Sequence, residues 1–527
     1  MNRTHAFLAV AALAVSAACA HHPPAQASAP AATPAAAAAA PTPTAAPAPS
    51  GPDRSKIPEN GPPPTLQLPA QQHFRLSNGL AVRLVEFRRL PIVALTLVVN
   101  AGAIHDPPDR PGLASMTTSV MTEGTRTRTA TQISDDIGFI GGSLDATSGF
   151  DAAFLTGSSL SRHLSKLVGV FADVAMNPTF PQGDFARVQN ERLVTLLQQR
   201  DQPGAIAGKA FARTFWSGHP YGHWVQGTED SVHAMRRADL ARFHAEYWNP
   251  ANAELVVVGD VTLGELRPLL ERSLGRWRPG RAARVPTPTP PERTARTFVL
   301  AKPGAPQAYV MLGMTGIPRS SPDYYASQVA FQVLGGGSAS RLFRELREAK
   351  GYTYGIYARE EARKLGGSSI VVGSVKAEQT GPAMKDLLAE IDQMRTVPVG
   401  PEELKEAKDS IVLGLPADFA TVGGIAGRLG ELVLHGLPDD YWDGYVQRIR
   451  AVTADDVLRV SQRLLDRSRL TLVMVAEPSV VRPQLEGLPL GPVEVVPTPP
   501  APERPKQRPP RAPRPLAGKT AASAGAP

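Results

Sequence analysis

Apolar and polar positions alternate over Leu80–Val85, which predicts a half-buried strand. Ile92–Val99 is a nearly continuous apolar run rich in β-branched residues, suited to a more deeply buried strand. Leu160, Leu164, Leu167, Phe171 and Val174 recur at helical spacing and predict a helix over 160–176. Two of these patterns return later in the chain, the Ile92–Val99 strand at Ala308–Met314 and the helix at Ala383–Met394. The clearest repeat sets LARFHAEYWNPANAELVVVGDV (240–261) against VLRVSQRLLDRSRLTLVMVAEP (457–478). Both are a helical stretch, a polar turn and a buried strand, and they align without a gap. Two related halves joined near residues 278–296 explain these periods. The predicted architecture is α+β, each half an antiparallel sheet packed on helices.

Composition sets the boundaries. Residues 20–65 are almost entirely Ala, Pro, Thr and Ser. Such a stretch cannot bury enough apolar area to offset its ordering entropy, so a disordered tether is expected. The Pro- and Arg-rich residues 484–527 are expected to be a disordered tail. Between them lie an N-terminal half (66–280), a linker (281–296) and a C-terminal half (297–483). Of the 527 residues, 42% are hydrophobic, enough for ordinary cores. The formal charge is +8, but Arg504, Lys506, Arg508, Arg511, Arg514 and Lys519 stand in the tail against Glu503. The rest is near neutral, and no basic groove for nucleic acid is expected.

The sole cysteine is Cys19. It follows Arg3, an apolar run from Ala6 to Val15, and Ser16-Ala17-Ala18. A charged start, a short apolar core and small residues describe a secretory signal over 1–19. A cysteine at that point resembles a bacterial lipobox, which would make Cys19 the lipidated mature N-terminus. Ser16 stands where leucine is usual, and cleavage near Ala18 or Ala20 without an anchor is the alternative. The expectation is export to the periplasm, with the membrane reached through a lipid anchor only.

Several motifs stand in a fixed order. They are N-G-L-x-V from Asn78, G-L-A at 112–114, E-G-T at 123–125 and HPYG at 219–222, followed by FHAEYWNPANAELVVVGDV and GGGSASRLFRELREAKGYTYGIYA (335–358). In this order they resemble the insulinase, pitrilysin and mitochondrial processing peptidase group of zinc peptidases, over roughly residues 72–480. The resemblance implies a clamshell of two homologous halves. In active members the helix after G-L-A carries H-x-x-E-H, two zinc-binding histidines and a glutamate that activates the attacking water. A third ligand, a glutamate, follows about 75–80 residues later.

In this chain the helix reads GLASMTTSVMTEGT. Ser115 and Ser119 stand at the histidine positions and Thr118 at that of the base. The later segment reads ERLVTLLQQRD, with no carboxylate at Leu196–Gln198; Glu191 matches a different glutamate of the pattern. Neutral hydroxyls are poor zinc ligands beside imidazole and carboxylate. This chain is therefore expected to bind no metal and to cut no peptide by itself. His219 and His223 are four apart, but Pro220 and Gly222 break the helix that would align them, so a turn role is expected. His21 and His22 lie in the tether.

The resemblance also implies an arginine and a tyrosine, seven residues apart in the C-terminal half, that bind substrate and stabilise the oxyanion. Arg347 and Tyr354 match them. Gly351 is a helix stop, placing Arg347 in the last helical turn and Tyr354 on the following strand. Gly335, Gly336 and Gly337 are expected to form a substrate-contacting loop or a tight turn. Some members divide the two sites between chains. The expectation is a non-catalytic subunit that lends Arg347 and Tyr354 to a homologous partner carrying the zinc, acting on unfolded peptides. The alternative is a non-enzymatic peptide-binding or scaffold protein of the envelope.

Overall fold

The computed structural model describes residues 69–288 and 293–497. Cys19, the tether, the two tether histidines and the end of the tail lie outside them. Within the described residues the two halves repeat one another. The first sheet comprises β1 (Gln71–Arg75), β2 (Ala81–Glu86), β3 (Ile92–Val99), β4 (Ser143–Ser148), β5 (Ala153–Leu160) and β6 (Ala253–Gly259), ordered β1-β2-β6-β3-β5-β4. The second comprises β7 (Arg296–Ala301), β8 (Gln307–Thr315), β9 (Thr353–Arg363), β10 (Gly366–Lys376), β11 (Thr471–Ala476) and β12 (Val493–Val496), ordered β12-β7-β11-β8-β10-β9.

The sequence repeat is a structural one. The Arg237–Tyr247 helix leads to β6 as the Ala454–Leu464 helix leads to β11. The Leu164–Met176 helix matches Thr380–Thr396; it starts four residues later than its periodicity suggests, because Leu160 closes β5. The sheets are mainly antiparallel, as expected, with parallel pairs toward one edge. β2 runs parallel to β6, and β7 runs parallel to both β11 and β12. Parallel neighbours need a long crossover, so the partners β2 and β6 are separated by most of a half and no local pattern pairs them.

The tail is also shorter than composition suggested. Leu490 is fully buried, its carbonyl accepts a hydrogen bond from the Thr297 hydroxyl at 2.8 Å, and β12 adds to the sheet edge.

Each half lends a helix to the other. The Pro203–Phe215 helix of the first half packs on β8 and β11 of the second sheet, where Ala207, Phe211 and Phe215 share a core with Leu300, Ile370, Val473 and Val475. The Val422–His435 helix of the second half packs on β3 and β6, setting Ile425, Ala426, Leu429 and Leu432 in one core with Val85, Ala94, Val256 and Val258. A polar seam completes the junction. The Tyr221 hydroxyl of HPYG donates to Asp151 at 2.6 Å and accepts from the Leu365 amide at 3.0 Å, and Lys364 reaches Asn100 at 2.9 Å.

Candidate functional site

The Leu113–Met121 helix carries Ser115, Thr118 and Ser119. Gly112 starts it in the left-handed region, with φ 94°. A Cβ there would meet the Gly227 backbone at 2.7 Å, so glycine permits the close crossing of two chain segments. The Asp106 carboxylate accepts from the amides of Gly112 (2.7 Å) and Ala114 (2.8 Å), capping the helix, and His223 Nε2 lies 3.1 Å from it. Burial pushes the Asp106 carboxyl pKa upward against the hydrogen bonds that lower it.

Ser115 and Ser119, one turn apart, face the Gln182–Gln198 helix. The residue that meets them is Arg192. Its Nη1 donates to Ser115 Oγ at 3.1 Å and to the Gln226 carbonyl at 3.2 Å, and its Nη2 donates to Ser119 Oγ at 3.0 Å. Thr118 turns away and donates to the Ser115 carbonyl at 3.0 Å. Leu196 is in the core, Leu197 and Gln198 are exposed, and Glu191 faces outward to Arg187. Two hydroxyls and a guanidinium do not fit zinc: a fixed cation occupies the position a divalent cation would take. Among the described residues no group of three or more His, Cys, Asp or Glu side chains is placed to hold a metal ion.

His219 and His223 do not converge. His219 Nδ1 accepts from the Tyr221 amide at 3.1 Å and its ring packs on Trp216, while His223 belongs to Asp106. Desolvation holds His219 down at a pKa of about 4.

In the second half Arg347 and Tyr354 come together. Arg347 lies in a π-helical turn, Phe343–Ala349, that ends before Gly351 (φ 63°), and Tyr354 follows on β9. The guanidinium carbon sits 4.8 Å from the centre of the Tyr354 ring. Arg347 also reaches the Thr353 carbonyl at 3.4 Å. Both side chains are exposed, Tyr354 by 82%. β9 is the last strand of its sheet, so its outer edge is unpaired among the described residues. The three glycines divide. Gly335 ends the Tyr324–Gly335 helix and is buried where a Cβ would lie 2.2 Å from the Ala358 amide of β9. Gly336 and Gly337 lead into the following turn.

β9 also buries a carboxyl group. Glu360 accepts from the Ile317 amide at 2.8 Å and the Ser369 hydroxyl at 2.5 Å, in space left by Gly316 and Gly367. Desolvation raises its pKa from 4.5 to about 7. Below 4.5 folded and unfolded chains both hold the proton. As pH rises toward 7 only the unfolded chain releases it, so Glu360 stabilises the fold in acid and loses that contribution by neutrality. Glu360→Gln is uncharged throughout. Its stability relative to the parent should therefore rise by on the order of 3 kcal/mol between about pH 4.5 and 8, read from urea unfolding at both values. A pH-independent difference would contradict the buried, protonated carboxyl.

Sequence reasoning missed Arg192, although it stands in the segment expected to supply a ligand. The signal was a cation on the helix face that should have carried a carboxylate. It also missed a local concentration of charge. Arg126, Arg272, Arg276, Arg278, Arg281 and Arg284 line a cavity of about 1140 Å³ beside Trp248 and Trp277. A near-neutral total is blind to such a distribution.

Comparison with known proteins agrees with this geometry. Residues 85–229 match the family described as insulinase (peptidase family M16), and residues 234–411 match the peptidase M16 inactive domain. An uncharacterized zinc protease of Streptomyces coelicolor is 27% identical over 379 residues, covering 70% of this chain and 81% of that protein. One from Mycobacterium leprae is 26% identical over 398 residues, covering 74% and 88%. Among solved structures, a peptidase M16 inactive domain from Pseudomonas fluorescens superposes with a TM-score of 0.73 at 26% identity, covering 77% of this chain and 98% of that one. A protease from Helicobacter pylori gives 0.72 at 20% identity, covering 78% and 100%. With both halves matched in order and the two-sheet fold shared, the chain belongs to peptidase family M16, the insulinase family.

Proposed function

We propose that this chain is the non-catalytic subunit of a two-chain zinc peptidase. It would supply Arg347 and Tyr354 to a homologous partner that carries the metal, and it would have no peptidase activity alone. The observation that carries this reading is the exposed Arg347–Tyr354 contact, in a chain whose Ser115 and Ser119 hydroxyls bond Arg192. An exposed arginine held over an exposed tyrosine adds little to the fold, because solvent screens the contact; it is well suited to meet a substrate carbonyl. The test is reconstitution. This chain and a zinc-bearing M16 homologue should each be inert toward an unfolded peptide, and their mixture should cleave it. Failure of every M16 partner of the source cell to yield activity would sink the reading. The second reading is a non-enzymatic peptide binder, favoured by the unpaired outer edge of β9 with Tyr354 and Tyr357 exposed along it. It predicts peptide binding without cleavage in every mixture.

A further inference from the structure

Arg192 presents an imbalance. Its three hydrogen-bond acceptors, Ser115 Oγ, Ser119 Oγ and the Gln226 carbonyl, are all neutral. Among the described residues no acidic side chain forms an ion pair with it, although nearby arginines have such partners: Arg187 pairs with Glu123 and Glu191, and Arg200 with Glu229. The side chain is half-buried, and desolvation with no opposing charge lowers its pKa. A partly desolvated cation without a counter-ion carries a cost. The guanidinium also has donors to spare: the three bonds use both Nη atoms and leave the Nε–H without a partner among the described residues. The Ser115 hydroxyl accepts from Arg192 and donates to no atom of the described residues. The surroundings are polar and uncharged: the Gln226 side chain accepts from Gln199 Nε2 at 2.7 Å and from Trp224 Nε1 at 3.3 Å.

We infer that this position, where the family would hold a metal, is a carboxylate-binding pocket. Arg192 and Ser115 receive an acidic group of a bound peptide, either its terminal carboxylate or an Asp or Glu side chain. A planar guanidinium matches a carboxylate's two oxygens, and Ser115 adds a third donor. The inference concerns this chain alone and stands whether or not a zinc-bearing partner exists.

Calorimetric titration of the full chain with four versions of one acetylated pentapeptide tests it. The versions have a free C-terminus, an amidated C-terminus, an amidated C-terminus with an internal Glu, and the same with Gln. At least one acidic version should bind tenfold or more tighter than its neutral counterpart, and which one does identifies the source of the carboxylate. Arg192→Met should abolish the preference. Ser115→Asp provides a second check that does not depend on that variant folding. It gives Arg192 an internal carboxylate, so it should raise the thermal midpoint and also abolish the preference. Equal affinity for acidic and neutral versions, or a preference that survives in a folded Arg192→Met or in Ser115→Asp, would overturn the inference.

Discussion

Arg347→Ala should cut turnover of a reconstituted two-chain peptidase by about 10²-fold or more while leaving the two chains associated. The expected size follows from the role proposed for the residue. A donor that meets developing negative charge would act most strongly in the transition state, so its loss would appear in the rate. The structure allows the loss to be read cleanly. Arg347 is exposed, meets the Tyr354 ring and a weak carbonyl acceptor, and among the described residues forms no ion pair, so its removal should cost the fold little. Arg347→Lys keeps the charge but loses the planar fork, and it should fall between the two. Size-exclusion profiles of the mixtures separate a lost active site from a lost assembly. Unchanged turnover in Arg347→Ala, with the pair intact, would remove the basis for a shared site.

Phe211→Ala should lower global stability by about 3–5 kcal/mol, measured as the urea-unfolding midpoint. Phe211 belongs to the first half but is seated in the second. A Cβ on Gly313 of β8 would lie 2.2 Å from its ring, so the ring fills a hollow that only glycine leaves. It stacks on Phe215 at 4.6 Å and shares a dry cluster with Val473 and Val475. Truncation removes the ring from a site that neither sheet can collapse to fill. Because the cluster belongs to both halves, the transition should remain single, and both sheets should lose stability together. A variant that unfolds at the parent's midpoint would show that the shared core does not hold the halves together.

What was legible in the sequence was whatever depends on near neighbours. Ile92–Val99 is a strand with the limits its β-branched run suggested, and the 240–261 and 457–478 segments occupy equivalent places in the two sheets. Gly351 ends the turn that carries Arg347 because a left-handed position favours glycine. Contacts between distant segments were not legible. The placement of β6 beside β2 and the exchange of covering helices depend on pairings across a half or more of the chain. Arg192 was hidden for a different reason. That Ser115, Thr118 and Ser119 are hydroxyl residues could be read from the sequence, but what meets them depends on which side chain reaches across from another helix. β12 escaped notice because four residues in a proline-rich stretch carry too little pattern.

The exchanged helices also limit how this molecule can move. Two halves joined by a linker alone could swing apart about it. Here the Pro203–Phe215 and Val422–His435 helices each lie on the opposite sheet, so separating the halves would strip two apolar faces at once. Opening at this junction is therefore costly. Under the two-chain reading proposed above, a peptide would enter at the boundary between the two chains, and the timing of entry and release would be governed by how firmly the partner is held.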